Sequence, residues 1–176
     1  MKGKICQACK RNEIEVQLQF MPRGLCRACF ARNIEHRVRH NIRIQHLIKK
    51  GSEVGFEEDS SQEARMLEYI LKRLQKALPF KLKKEGELKL YSLDEQGVLL
   101  LDAVLRGRRI QRAKAPLSVV HSEEVRLFCK FKRLGGKQIS RLNAGQQELL
   151  LEVEKLEQKH PQIKFSMLNF LIATLE

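Results

Sequence analysis

The chain has 176 residues, of which 43% are hydrophobic, and it carries 34 lysines and arginines against 21 aspartates and glutamates. This length holds one medium domain, or a small module plus a domain of about 120 residues. No apolar run reaches the roughly 20 residues that cross a bilayer, which argues against a membrane protein. The N-terminal residues lack the apolar run of a secretory signal, so we expect a cytoplasmic protein.

The net charge of +13 indicates a polyanionic partner. On a small protein this surplus creates a positive field, for which nucleic acid is the commonest partner and an anionic membrane surface the second. The chain has no Trp and only two Tyr, too few for a sheet that stacks many bases. We therefore expect RNA that is bound mainly through its phosphates.

Two Cys-x-x-Cys pairs near the N-terminus predict a metal site formed by Cys6, Cys9, Cys26 and Cys29. Each short gap lets a tight turn aim two thiolates at one ion, and two turns complete a tetrahedron, which is typical of structural zinc. An iron–sulfur cluster is a remoter alternative, and disulfides are disfavoured because the cytosol keeps thiols reduced. Four thiolates leave no open position for water, so the zinc would be structural.

Residues 1–50 are expected to form a zinc ribbon and a basic helix. Apolar and polar residues alternate over 14–20, as in a strand, and the following Pro-Arg-Gly predicts a turn. From Phe30 to about Lys50, apolar residues recur every four positions, which predicts an amphipathic helix with a cationic free side. The arginines expected to face RNA here are Arg23, Arg27, Arg32, Arg37, Arg39 and Arg43.

The segment 51–62, GSEVGFEEDSSQ, is small, polar and acidic without a period, and is predicted to be a linker or surface loop. Residues 63–176 form the body, so the fold class is α+β or a truncated α/β fold, mainly helical with a small sheet. The expected elements are a helix from Ser61 to about Leu78, one or two strands around a turn at 85–86, a helix over 93–106, a strand over 116–120, a helix from His121-Ser122 to about Leu134, and helices over 144–159 and 162–175.

A second basic cluster follows the helix that Gly107 is placed to end. Five cations lie within nine residues, and they repel each other unless an anion or nearby carboxylates neutralise them. RNA phosphates are the favoured anion, and a solvated loop is the alternative. The cluster consists of Arg106, Arg108, Arg109, Arg112 and Lys114.

The run RGLCRACFARNIEHRVRHNIR, residues 23–43, resembles the N-terminal zinc finger of the cytoplasmic tRNA 2-thiolation proteins, the TtuA-like PP-loop ATPases and their degenerate eukaryotic partners. In that family a Phe and a basic helix follow the second Cys pair and lead into the ATPase domain. Weaker similarities follow in the family's order, in SLDEQGVLLLDAVLRG, APLSVVHSEEVRLFCKFKRL and KHPQIKFSMLNFLIATL. The resemblance implies a remnant of a Rossmann-like PP-loop domain and a role with tRNA.

The chain departs from this family where the ATPases bind the nucleotide. The Ser-Gly-Gly-Lys-Asp-Ser pyrophosphate loop is missing, and the segment 51–62 stands in place of that loop and the first strands. The Gly-Gly-Lys at 135–137 follows a helix and lacks a Ser or Thr after it, so we interpret it as a coincidence. Outside the Cys pairs the chain has only Cys129, between Phe128 and Phe131, where a buried, inert thiol is the commoner case.

Two further groups of polar residues have plain interpretations. Asp94 and Glu95 are expected in the first turn of a helix, where the helix dipole stabilises them. The histidines of the basic helix lack a carboxylate partner and are expected to be exposed rather than to bind metal. They are His36, His40 and His46.

Together these observations predict a non-catalytic, zinc-containing tRNA-binding protein, acting as a partner or scaffold in wobble-uridine 2-thiolation. An active PP-loop paralogue is the expected protein partner in a hetero-oligomer. One alternative is a zinc-ribbon module that binds proteins without RNA. Another is a subunit of an enzyme that is complete only as a hetero-oligomer.

Overall fold

The computed structural model describes residues 4–109 and 113–173. It confirms a mainly helical body with a small sheet, behind an N-terminal module that carries the paired cysteines. In these residues no helix combines the length and the apolar character that a membrane span requires. The elements are α1 Arg27–Ile44, β1 Glu53–Phe56, α2 Gln62–Leu74, β2 Lys81–Leu88, α3 Leu93–Leu105, α4 Ser122–Lys132, α5 Ala144–Lys159 and α6 Ile163–Ala173.

Helix α1 buries the apolar stripe that the sequence predicts, but it ends earlier than expected. Its last helical residue is Ile44 rather than one near Lys50. His46 takes a left-handed conformation with φ 51°, and the Leu47 amide donates to the Ile42 carbonyl at 3.0 Å, which closes the helix. The buried stripe consists of Phe30, Ile34, Val38 and Ile42.

The segment 51–62 belongs to the fold, contrary to the prediction of a linker or surface loop. It contains strand β1, which pairs in parallel with β2, and its Val54 and Phe56 are buried. Helix α2 connects the two strands and starts at the predicted cap, because the Ser61 hydroxyl accepts the Ala64 amide at 3.1 Å. The β1-α2-β2 unit is thus a compact crossover of the kind that builds α/β sheets.

Strand β2 is a single strand, whereas the sequence suggested a turn at 85–86. The register shifts between Gly55 and Phe56, so several residues of β2 bulge against one position of β1. A Cβ atom at Gly55 would lie 2.1 Å from the Glu85 carbonyl oxygen, and one at Gly86 would lie 2.3 Å from the Gly55 oxygen. The two glycines therefore permit a close backbone approach, and Gly86 does not mark a turn.

The second half follows the predicted order of helices, with one exception. Helix α3 begins with a capping box of Ser92 and Glu95 and ends before Gly107, which has φ 60°. Residues 116–120 form successive turns and not the expected strand, because the Ser118 and Val120 amides bond to carbonyls three residues earlier. Helix α3 then packs against α5 and α6, while α4 packs against α1 and α2.

One apolar core spans both of the domains that the sequence predicts. It runs from Cys6 in the N-terminal module through α1, the sheet and α2 to Cys129 in α4. A smaller cluster of Leu93, Leu100 and Leu168 joins α3 to α6. The N-terminal module and the helical body are therefore packed together and not merely tethered.

Candidate metal centre and cationic surface

The predicted metal ligands converge on one point. The sulfur atoms of Cys6, Cys9, Cys26 and Cys29 all lie within 4.8 Å of one another. Cys26 is the N-cap of α1, so the start of this helix orients the second pair of sulfurs. The module that holds the cysteines, residues 4–29, is called the cysteine module below.

Two short antiparallel bridges hold the cysteine module together. One bridge joins Ile5 to Glu13, and the other joins Val16 to Leu25, whose side chains are both buried. Alternate residues of 14–20 face inward as predicted, although the backbone pairs only at these bridges. The hairpin between the cysteine pairs thus brings together two turns that are distant in sequence.

The backbone around the sulfurs favours thiolates in the first pair. Hydrogen bonds from the backbone amides of Cys9 and Cys26 lower the pKa of Cys6 to about 6, and those of Arg11 and Asn12 lower the pKa of Cys9. Burial and the neighbouring sulfurs raise the pKa of the Cys29 thiol to about 12. Thiolates this close together repel each other, so a cation bound between them would stabilise the cluster.

The separation of one pair of sulfurs is that of two ligands of a single ion. Bonds of about 2.3 Å from one tetrahedral zinc ion place sulfur atoms about 3.8 Å apart. The Cys9 and Cys26 sulfurs lie 3.9 Å apart, which matches this value. A [4Fe-4S] cluster attaches each thiolate to a different iron and therefore needs a wider ligand set. The residues thus suit a bound metal that has no position open to water.

The structure divides the predicted arginines of the N-terminal half into exposed and internally bonded groups. Arg23, Arg32 and Arg43 are exposed. Among residues 4–109 and 113–173, Arg23 and Arg32 form no ion pair. Arg39 lies 3.8 Å from the Glu35 carboxylate and is partly buried. The guanidinium groups of Arg23, Arg32 and Arg43 therefore remain accessible to an external anion.

Arg27 and Arg37 are engaged within the protein. Arg27 pairs with Glu15 at 2.9 Å on the surface. Arg37 makes two bonds to the fully buried Glu124, at 2.5 and 3.0 Å, and a third to the Val119 carbonyl. Arg37 thus connects α1 to α4, and its guanidinium is less available to an external anion than sequence reasoning supposed.

The second basic cluster is only partly described. Arg106 pairs with Asp102 at 2.6 Å, at the end of α3. Arg108 and Arg109 are exposed. Arg112 lies outside the described residues. The name arginine loop is used below for residues 106–109.

Arg141, which the sequence analysis did not single out, occupies the junction between β1 and α2. Its guanidinium lies 2.6 Å from Asp59 and 2.8 Å from the Ser61 hydroxyl. It also lies 3.7 Å from each of Glu63 and Glu95, whose pKa values are raised by burial. Four acidic or hydroxyl groups therefore surround one cation at the N-terminus of α2.

A buried network around Asp94 also escaped the sequence analysis. Asp94 begins α3 as predicted, but it also accepts the Ser122 amide at 2.6 Å and lies 3.2 Å from the His121 ring. Lys164 of α6 lies 2.7 Å from both Asp94 and Glu157. No local pattern could reveal this network, because its members lie on four helices or their caps.

The remaining candidates occupy the environments that the sequence predicts. His36, His40 and His46 are exposed on or next to α1. Cys129 is buried, and burial raises the pKa of its thiol to about 12, with a smaller effect of the negative charge of Glu63. Both features disfavour the reactive thiolate form.

Comparisons with known proteins identify the fold. No family model matches the chain, and no curated protein matches its sequence. The chain is similar to the solved structure of the U34-tRNA thiolase NcsA from Methanococcus maripaludis with its [4Fe-4S] cluster, with a TM-score of 0.77 and 12% identity. The match covers 99% of this chain and 88% of that chain. The chain therefore has the fold of a tRNA thiolase.

Proposed function

We propose that the protein is a non-catalytic, zinc-containing, cytoplasmic tRNA-binding protein that acts as a partner or scaffold in wobble-uridine 2-thiolation. The fold match to a U34-tRNA thiolase, which extends over 99% of the chain, carries this proposal. The match includes the cysteine module together with the helical body. A retained tRNA-binding shape is the simplest reason for keeping the whole fold when the sequence has changed so far.

Zinc is the proposed metal, because the 3.9 Å sulfur separation fits one tetrahedral ion. Elemental analysis of protein purified without added metal tests this assignment. We expect one zinc per chain, and Cys26→Ser should lose it because the closed tetrahedron is broken. Iron with inorganic sulfide, at cluster stoichiometry, would instead support the cofactor type of the thiolase.

The β1-α2 junction supports the absence of catalysis. A nucleotide phosphate needs free backbone amides at a helix N-terminus. Here the Gln62 amide donates to the Lys137 carbonyl at 2.9 Å, and the Ala64 amide donates to Ser61. The preceding residues, 57–59, are all acidic and repel phosphate. The bonded amides and the adjacent carboxylates therefore make this junction unfavourable for a phosphate.

Calorimetry with Mg-ATP tests this part of the proposal. The isolated chain should give no binding heat at protein concentrations that detect a millimolar dissociation constant. A stoichiometry of one ATP per chain would contradict the proposal and favour a subunit of an enzyme that is complete as a hetero-oligomer. A separate titration of the same preparation with tRNA is the positive control, and it should show binding.

The exposed arginines Arg23, Arg32 and Arg43 and the arginine loop support RNA binding. Each phosphate contact releases counterions, so the logarithm of the association constant should fall linearly with the logarithm of the salt concentration. Fluorescence anisotropy with labelled tRNA, at salt concentrations around the physiological value, measures this slope. Absence of tRNA binding under these conditions would contradict the proposed function.

A protein-binding role is the second candidate, favoured by large apolar side chains on the surface. Leu105, Leu151 and Phe170 are 67%, 56% and 68% exposed. Such residues mark an interaction surface when they are gathered together. Co-purification from native cells, with sequencing of the RNA and identification of the proteins, separates the candidates. An active PP-loop paralogue together with tRNA would support the scaffold role, and a protein without RNA would support the second candidate.

A further inference from the structure

A cleft of about 820 Å³ opens between the cysteine module, α1 and the start of α6. Residues 20–25 form one wall, residues 29–37 of α1 form another, and Gln162 and Phe165 close the third side. The side-chain amide of Gln162, just before α6, donates to the Phe20 carbonyl at 2.6 Å, which connects this end of α6 to the cysteine module. The volume lies within the range of sites for small molecules and single nucleotides.

The inner surface of the cleft is apolar and held in place. Phe20, Met21 and Phe165 line it. The Phe20 ring stacks on His121 with 3.8 Å between ring centroids, and Phe165 meets the same histidine edge-on at 5.0 Å. His121 is itself hydrogen-bonded to Asp94, so its ring is held in place and orients the two phenyl rings that pack against it. Rigid aromatic surfaces of this kind suit a planar ligand.

The rim of the cleft is cationic. Arg23 and Arg32 line it, and both are exposed. Within the described parts of the chain, neither Arg23 nor Arg32 has a carboxylate partner. The carboxylate that lines the cleft, Glu124, is already paired with Arg37 at 2.5 Å. The cleft, which Cys9 and Cys29 also line, therefore offers an apolar floor together with two guanidinium groups that are not paired with a carboxylate.

We propose that this cleft binds one unpaired nucleotide, with its base against Phe20, Met21 and Phe165 and its phosphate between Arg23 and Arg32. An aromatic ring joined to a phosphate is the ligand that satisfies both halves of the site. A base within a duplex stack cannot reach the floor, so the nucleotide comes from a single-stranded segment or is free in solution. The RNA source rests on the proposed function, whereas the free nucleotide does not.

The first experiment compares cleft variants with a control of equal charge. Arg23→Gln with Arg32→Gln removes two charges at the cleft, and Arg108→Gln with Arg109→Gln removes two charges elsewhere. Anisotropy is measured with a single-stranded oligouridine and with an RNA duplex of the same length. The cleft pair should weaken single-strand binding about tenfold and reduce the preference for the single strand over the duplex, because base stacking is lost with the phosphate anchor. The control pair should weaken both ligands by the same factor.

A second variant blocks the cleft without changing the charge. Asn33 is exposed on α1 and lines the cleft, so Asn33→Trp places a large side chain in it while leaving the core intact. This variant should lose single-strand binding by a similar factor and keep its duplex affinity. Photocrosslinking with 4-thiouridine in the oligonucleotide should label residues 20–25 or 162–165 in the wild type only. Circular dichroism confirms that the variants are folded.

The outcomes separate this inference from the proposed function. RNA binding that is unchanged in Asn33→Trp, or crosslinks only outside the cleft, would overturn the nucleotide cleft and leave tRNA binding intact. Absence of all RNA binding, with uridine monophosphate bound by the wild type and not by Asn33→Trp, would overturn the proposed function and assign the cleft to a free nucleotide. Binding of neither ligand would overturn both.

Discussion

At the scale of single residues, identical side chains serve different purposes according to their distant neighbours. Arg23 is an exposed cation at the rim of the cleft, and Arg37 is bonded to buried Glu124. Arg141 neutralises acidic residues at the β1-α2 junction. Contacts across the fold, and not the residue type, distinguish these arginines. The charge surplus therefore overstates the number of cations that are free to bind RNA.

Cys129 should remain unreactive in the native protein. Burial raises the pKa of its thiol to about 12, so almost no thiolate exists at pH 8. Labelling with a thiol reagent should leave this cysteine unmodified in the metal-loaded protein. In denaturant with a chelator, all five cysteines of the chain should react. A single thiol in the native protein reacting as fast as free cysteine would contradict its buried placement.

The Asp94 carboxylate should stabilise the fold at neutral pH and lose this effect in acid. Burial alone would raise its pKa, but the hydrogen bond with His121 and the charge of Lys164 outweigh burial and hold it well below the usual range. A lowered folded-state pKa gives stability that is complete above about pH 5 and declines as the pH falls further. Asp94→Asn should therefore cost about 3 kcal/mol at pH 7, because Lys164 is left buried with one partner fewer.

Urea unfolding at pH 7 and pH 3 measures this effect. The difference between wild type and Asp94→Asn should shrink at the lower pH, where the wild-type carboxylate begins to lose its advantage. Glu123→Gln is the matched control, since this glutamate pairs with Arg126 at the surface, where both side chains are 48% exposed. The control should change stability by less than about 1 kcal/mol. An equal loss at both pH values would count against the titration of Asp94.

At the scale of elements, the amphipathic helices and a small sheet are predicted, but strand β1 is not. The stripe of α1 and the buried face of α2 follow from residues three or four positions apart. Strand β1 has only four residues, one of them Gly55, and it becomes a strand by pairing with β2 across the intervening helix. Composition alone indicated a loop at 51–62. The burial and the hydrogen bonds that make β1 a strand come from β2, which the composition of this segment does not reveal.

Replacing Gly55 by alanine should disrupt the sheet. The new methyl group would lie 2.1 Å from the Glu85 carbonyl, so the two strands must move apart. We expect a loss of about 3 kcal/mol, the size of an overpacking defect. Gly145 in α5 is the matched control, because a Cβ there has its nearest neighbour at 3.8 Å. Gly145→Ala should stabilise the protein by up to about 1 kcal/mol. Thermal and urea unfolding give both values, and a neutral Gly55→Ala would refute the close strand contact.

At the scale of the whole molecule, the cysteine module and the helical body form one packed unit. The core that runs from Cys6 to Cys129 fixes the cysteine module on the helical body. The cleft and the basic face of α1 therefore hold a constant relation, as binding to a rigid RNA requires. We expect removal of a bound metal to weaken this shared core, since Cys6 and Cys26 belong to it.

The arginine loop should contribute to tRNA affinity through its positive charge. Replacing Arg106, Arg108 and Arg109 with glutamine should lower the affinity and flatten the dependence of log K on log salt, because fewer counterions are released. Lys76, Lys84 and Lys89 are exposed positions at which the same loss of charge provides a control. An unchanged salt slope in the arginine variant, or an equal change in the lysine variant, would show that the loop makes no specific phosphate contacts.

The sequence by itself predicted the four clustered cysteines, the helices and the basic character. These properties depend on spacings of a few residues, and the hairpin of the cysteine module needs only one short reversal of the chain. Strand β1, the network of Asp94 with His121 and Lys164, and the cleft at α6 emerged only in three dimensions. Each of these features joins residues that are more than twenty positions apart in the sequence. Burial in the folded chain then decides which of the contacts that local chemistry permits are formed.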